Sequence, residues 1–157
     1  MIPTKQQPIN LADGGKRSLR TQFGSLCYRR HQGRLQVLLI SSRGVGRWVV
    51  PKGWPMDGKT PSEAASVEAF EEAGVKGKVY ETVLGLYSTM REASGNSDEL
   101  IPCIVAIFPL KVKQVLKDYP EVNERSRQWF SPKKAASLVD EPELAQIIQN
   151  FNPKTFD

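Results

Sequence analysis

Residues 53–75 read GWPMDGKTPSEAASVEAFEEAGV, and the rest of the chain is organised around them. Thr60-Pro61-Ser62-Glu63 is a capping box with proline at the first helical position, and Gly74 stands where a helix passes into a left-handed residue. These signals predict a helix over Pro61 to Ala73. Glu68, Glu71 and Glu72 fall at i, i+3 and i+4, on one face of that helix. On a helical wheel Ala64 and Ala65 lie on the carboxylate side, where small residues would leave the face open. Ala69, Ala73, Ser66 and Phe70 lie toward the other side, ready to pack on a sheet.

Three carboxylates within one turn repel one another, and burial would raise their pKa values unless a cation shares them. Hard oxygen ligands with an incomplete shell suit Mg2+ or Mn2+, which completes its coordination with water and substrate phosphates. The Gly53 loop would add a backbone carbonyl oxygen. Such a site activates water and neutralises charge on a phosphoryl group in transit. Spacing alone equally admits a solvated acidic helix face.

The same stretch resembles the Nudix box, G-x5-E-x7-R-E-U-x-E-E-x-G-U with U aliphatic. Gly53, Glu68, Glu71, Glu72, Gly74 and Val75 match, with Ala69 a small residue at the first U. The resemblance implies an α/β/α sandwich with a mixed β-sheet between helices. It also implies Mg2+- or Mn2+-dependent hydrolysis of a nucleoside diphosphate linked to another moiety, or of a related pyrophosphate. Glu68, Glu71 and Glu72 are then the catalytic residues and, with Gly53, the metal ligands. Two positions depart from the pattern: Lys59 stands where the family has Glu, and Val67 where it has the arginine that braces the helix glutamates. Those departures keep open an alternative reading, a weakly active or inactive module that binds a phosphorylated ligand.

Outside the box, Val37 to Arg43, Arg47 to Gly53, Glu72 to Gly77 and Arg125 to Phe130 are similar to the branch that cleaves diphosphoinositol polyphosphates and diadenosine polyphosphates. By that likeness Ser41, Ser42, Arg43, Arg47, Lys52, Arg125 and Arg127 are candidate substrate contacts, and arginine forks do suit phosphate oxygens. An acidic residue outside the box often completes such a site, and Glu92, Asp98, Glu99, Glu121 and Glu124 all qualify.

Working outward, Arg20 to Arg30 and Leu35 to Ile40 read as strands joined by a turn at His31 to Arg34, a hairpin. Trp48 to Val50 is a further short strand. Lys78 to Tyr87 reads as one strand, Ser88 to Glu99 as a polar loop over the site, and Leu100 to Leu110 as a buried strand. Trp129-Phe130 ends a strand, Ser131-Pro132 opens a helix to Leu138, and Glu141 to Phe151 carries a core-facing helical stripe. Residues 1–19 read as a mobile arm and 20–152 as one catalytic domain.

The 157 residues make one domain's worth of chain, with 39% hydrophobic and 25% charged residues, as expected of a soluble globular protein. No apolar run reaches membrane-spanning length, and the polar N-terminus lacks a secretory signal, so no membrane partner is expected. Cys27 and Cys103 lie in apolar strands and read as buried free thiols, pointing to a reducing compartment, the cytoplasm. The single histidine, His31, excludes a His-based triad or His-rich metal site. A net charge of +5 favours polyanionic partners. The expected partner is a small-molecule polyphosphate, not nucleic acid, because the stacking platform for single strands is absent. The oligomeric state is left open.

Overall fold

A computed structural model describes residues 20–92 and 100–156. Strands β1 (Thr21–His31) and β2 (Arg34–Ser41) form the predicted hairpin. Its turn places Gln32 at φ 52° and Gly33 at φ 76°. Two successive positive φ values match the right-handed twist of the flanking strands. Next come β3 (Trp48–Val49), β4 (Lys52–Gly53), helix α1 (Pro61–Ala73), β5 (Val75–Val79), β6 (Gly85–Glu92) and β7 (Leu100–Val115). The chain ends with β8 (Arg127–Phe130), α2 (Pro132–Leu138), α3 (Pro142–Gln149) and a 3-10 turn at Pro153–Thr155.

The strands make one mixed sheet in the order β3-β2-β1-β7-β5, with β4 beside β1, β6 beside β7 and β8 beside β2. β1 runs parallel to β7 and antiparallel to its other neighbours, β2 and β4. Side chains alternate across the sheet. Leu26, Tyr28, Val37 and Leu39 face α2 and α3, packing on Ala135, Leu144 and Ile148. Cys27, Leu38 and Ile40 face α1, packing on Ala69 and Ala73. Helices on both faces make the expected α/β/α sandwich.

α1 has the predicted bounds, and its capping box is closed in both directions: the Thr60 hydroxyl accepts from the Glu63 N–H, and the Glu63 side chain accepts from the Thr60 N–H. That bond holds the Glu63 carboxyl below its usual range. Gly74 ends the helix at φ 67°. The wheel assignment of Ala64 and Ala65 is corrected. Both are buried against Phe23, Ala106 and Phe108 instead of flanking an open face. Four buried alanines let α1 lie close on the sheet, where the Ser25 hydroxyl donates 2.9 Å to the Ala65 carbonyl.

Three other expectations change. Lys78 to Tyr87 is two strands, because β5 and β6 pair with different parts of the same long partner: β5 with Leu110 to Val115 and β6 with Leu100 to Ile107. Between them the Tyr80 and Leu84 N–H groups bond the Pro109 and Ile107 carbonyls, so the chain turns without leaving β7. Ser88 to Glu92 belongs to β6, which leaves 93–99 of the expected loop outside the described residues, as is the arm 1–19. Gly53, read as loop, pairs with Phe23 and, with Lys52 beside Gly24, forms β4.

Candidate active site

The capping box and the left-handed Gly74 fix where α1 begins and ends, and so the height at which its glutamates stand. Glu68 and Glu72 reach a cleft of about 170 Å³ lined also by Arg43, Lys52, Gly53, Trp54, Met56, Glu121 and Arg125. A larger cavity, about 410 Å³ between β6, α3 and the chain end, is lined by Leu84, Ile147, Phe151 and Phe156, with Glu143 its ionisable member. It lacks the convergence of acidic and basic groups that chemistry at phosphorus needs, so the smaller cleft is the candidate site.

Gly53 is held in place by pairing with Phe23, and the Glu68 carboxyl lies where a Cβ on Gly53 would stand. Only glycine admits that approach. Burial pushes the Glu68 carboxyl up to about 8, with repulsion from Glu72, Glu71 and Glu121 adding to it. Glu72 is also buried, and burial raises its pKa. Arg125, and Lys52 through its backbone N–H and its charge, pull the other way. The Lys52 N–H donates 3.2 Å to Glu72 Oε1, and Arg125 Nη2 stands 3.6 Å from Glu72 Oε2.

Of the described acidic residues outside the box, Glu121 is the one that lines the cleft. Its N–H donates 3.0 Å to the Glu71 carbonyl, tying its loop to the last turn of α1. Its Oε1 accepts 2.9 Å from Arg125 Nε. In sequence the one hint was the i, i+4 spacing of Glu121 and Arg125. Glu124 stands at the rim, 3.3 Å from Arg43 Nη1. The side chains of Glu92, Asp98 and Glu99 lie outside the described residues.

The candidate substrate contacts divide. Arg43 and Lys52 line the cleft, and Arg43 is largely exposed. Arg125 lines it too, but its side chain is only 10% exposed and its nitrogens are engaged. The Ser41 and Ser42 hydroxyls accept from the N–H groups of Ser126 and Arg47, shaping the loop ends. Arg47 pairs with Asp140 on the surface. Arg127 is turned away from the cleft. Its guanidinium donates to the carbonyls of Ala73, Gly74 and Leu116 and lies 4.7 Å over the Tyr119 ring. It satisfies the orphan carbonyls at the C-terminus of α1, whose last turn has no basic residue of its own.

Neither box departure faces the cleft. Val67 lines a groove on the other flank of α1 with Ser66, Phe70 and Lys76. Lys59 is exposed in the turn before the cap, where its N–H bonds the Met56 carbonyl.

The donor chemistry fits a hard divalent cation. Every candidate ligand is an oxygen, and Glu68 holds a proton near neutrality because it is buried, with its neighbours' negative charge adding to the effect. Among the described residues no three acidic, His or Cys side chains close on one point as a finished cage. Glu72 is turned instead toward Lys52 and Arg125. That suits an ion that keeps waters better than one needing an all-protein shell.

Comparison with known proteins agrees with this geometry. A NUDIX domain model matches residues 19–151. Nudix hydrolase 12, mitochondrial, of Arabidopsis thaliana is 39% identical over 119 residues, covering 75% of this chain and 59% of the relative. Diphosphoinositol polyphosphate phosphohydrolase 2 of Rattus norvegicus is 32% identical over 151 residues, covering 94% of this chain and 79% of the relative. The chain spans about three fifths of the length of the first plant relatives it matches. The crystal structure of the C. elegans Ap4A hydrolase superposes with a TM-score of 0.56 at 20% identity, over 82% of this chain and 92% of that one, a likeness of fold. With the domain model spanning nearly the whole chain and Glu68 and Glu72 of the box in the cleft, which Glu71 does not line, the chain belongs to the Nudix family.

Proposed function

We propose that the chain hydrolyses a diphosphate or polyphosphate linkage, in a diphosphoinositol polyphosphate, a dinucleoside polyphosphate or another nucleoside diphosphate derivative, by attack of water at phosphorus. One observation carries this reading: Glu68, Glu72 and Glu121 share a single cleft with Arg43 and Lys52. Glu68, Glu71 and Glu72, with the Gly53 carbonyl, would hold Mg2+ or Mn2+, and such an ion supplies charge neutralisation and a more acidic bound water. Arg43 and Lys52 bind and orient the phosphate oxygens, offering fork and point-charge contacts respectively. Glu121, the cleft carboxylate outside the helix, is placed to take the proton of the attacking water at its Oε2, since Oε1 accepts from Arg125. Trp54 and Met56 line the same cleft as its apolar members.

The test is phosphate or nucleotide release from a panel of diphosphate substrates, with and without Mg2+ or Mn2+, for wild type and Glu72→Gln. Metal-dependent turnover lost in the variant supports the reading; no turnover on any substrate overturns it. Lys59 and Val67 favour the second reading, a weakly active or inactive module that binds a phosphorylated ligand. Binding of the same panel without release would establish that.

A cytoplasmic location is part of the same proposal, on the ground that Cys27 and Cys103 are buried thiols outside any disulfide among the described residues, as in a reducing compartment. Imaging of a fluorescent fusion of the full chain tests it.

A further inference from the structure

The Nudix box calls for an arginine one residue before its first helix glutamate, and this chain has Val67 there, on the flank of α1 that faces Phe70 and Lys76. Its glutamates are nevertheless not left without a guanidinium. Arg125, in the loop before β8, enters the cleft with its side chain only 10% exposed. Each of its three nitrogens has its own partner on a different segment. Nε donates 2.9 Å to Glu121, Nη1 donates 3.1 Å to the Ser41 carbonyl at the end of β2, and Nη2 stands 3.6 Å from Glu72 on α1.

We propose that Arg125 is a positioning residue: it holds Glu72 and Glu121 in register across the cleft, doing from a loop what the missing helix arginine would do from α1. The assignment rests on the hydrolase reading above. Arg43 offers the contrast. It is 59% exposed, and its contacts with Glu124 at 3.3 Å and Glu121 at 3.9 Å are open to water and easily exchanged for a phosphate. Arg125 is nearly buried, and releasing it to a ligand would strand Glu72 and the Ser41 carbonyl with fewer partners in a low-dielectric site. Phosphate contact therefore falls to Arg43 and Lys52. Three partners on three nitrogens need the planar fork; a lysine amine, one compact charge on a flexible stem, cannot span them.

That difference supplies the experiment. Arg125→Lys and Arg125→Met are compared with wild type for Mn2+ binding, read by the electron paramagnetic resonance signal of free Mn2+ with no substrate present. kcat and KM are then measured on the substrate that the panel identifies. Loss of a partner that orients a metal ligand weakens metal binding about 10–100-fold. The expected result is a loss of about tenfold or more in both variants, with kcat reduced and KM within about threefold of wild type. Wild-type Mn2+ affinity in Arg125→Lys, with KM alone raised, overturns the assignment and returns Arg125 to phosphate binding. Failure of wild type itself to bind Mn2+ overturns the hydrolase reading, and this assignment with it. Should Arg125→Met not fold, Arg125→Lys, which keeps charge and reach, decides alone.

Discussion

The carboxyl of Glu68 lies against the α-carbon of Gly53, in the space a side chain would fill. The first glycine of the box is thus a packing requirement of its first helix glutamate, across 15 residues of chain. Gly53→Ala is expected to displace Glu68 while leaving β4 paired, and a displacement of about 1 Å can cost on the order of 100-fold in rate. Turnover and Mn2+ binding, measured on protein whose circular dichroism matches wild type, check this. Unchanged values for both would show that Glu68 has no role in the site.

Glu68 also destabilises the fold while it is ionised. Its carboxyl titrates at about 8 in the folded protein against 4.5 for the free group, chiefly through burial. The folded state therefore binds the proton more tightly, so this group's contribution is full below pH 4.5 and is lost as pH rises through 8. With chelator present, Glu68→Gln should exceed wild type in stability by about 1–2 kcal/mol at pH 8.5 and by much less at pH 5. Urea unfolding at the two pH values reads the difference. An advantage that shrinks as pH rises would contradict the sign.

Glu121→Gln keeps the size of the side chain and an acceptor for Arg125, and removes the proposed base. General-base loss costs roughly 100-fold or more in kcat. Steady-state kinetics on both proteins check this. A variant with wild-type kcat would move the base elsewhere.

Arg127 has its guanidinium on the carbonyls of Ala73, Gly74 and Leu116. Arg127→Met should lower stability by about 2–3 kcal/mol, the scale of a lost charged hydrogen-bonding group, with KM little changed below the new melting temperature. A raised KM with unaltered stability would restore it to the substrate contacts.

Gln22 is fully buried on β1, and among the described residues neither polar atom of its amide has a hydrogen-bond partner. Removing an unsatisfied amide recovers about 1–3 kcal/mol, so Gln22→Met should stabilise the protein. Thermal or urea unfolding measures it, and destabilisation would mean that the amide is satisfied in solution.

What sequence alone determined here is local. α1 was bounded to the residue by Thr60, Pro61, Glu63 and Gly74, because a capping box and a left-handed cap satisfy backbone groups within one turn. The β1–β2 hairpin was readable for the same reason, its turn chemistry lying in adjacent residues. The box spacing placed the glutamates and the family. Tertiary structure decided the rest. Whether Lys78 to Tyr87 is one strand or two depends on what β7 offers beside it, and no residue in the segment encodes that partner. Ala64 and Ala65 went to the core because the sheet approaches α1 from their side. Arg125 and Arg127, two residues apart and alike in sequence, were both read as phosphate contacts. One enters the cleft and the other caps a helix end, because Arg125 stands in the loop before β8 and Arg127 begins the strand, and each meets a partner more than 50 positions away, Glu72 and Ala73 respectively. Side-chain charge is written in sequence; which charge it meets is decided by the fold.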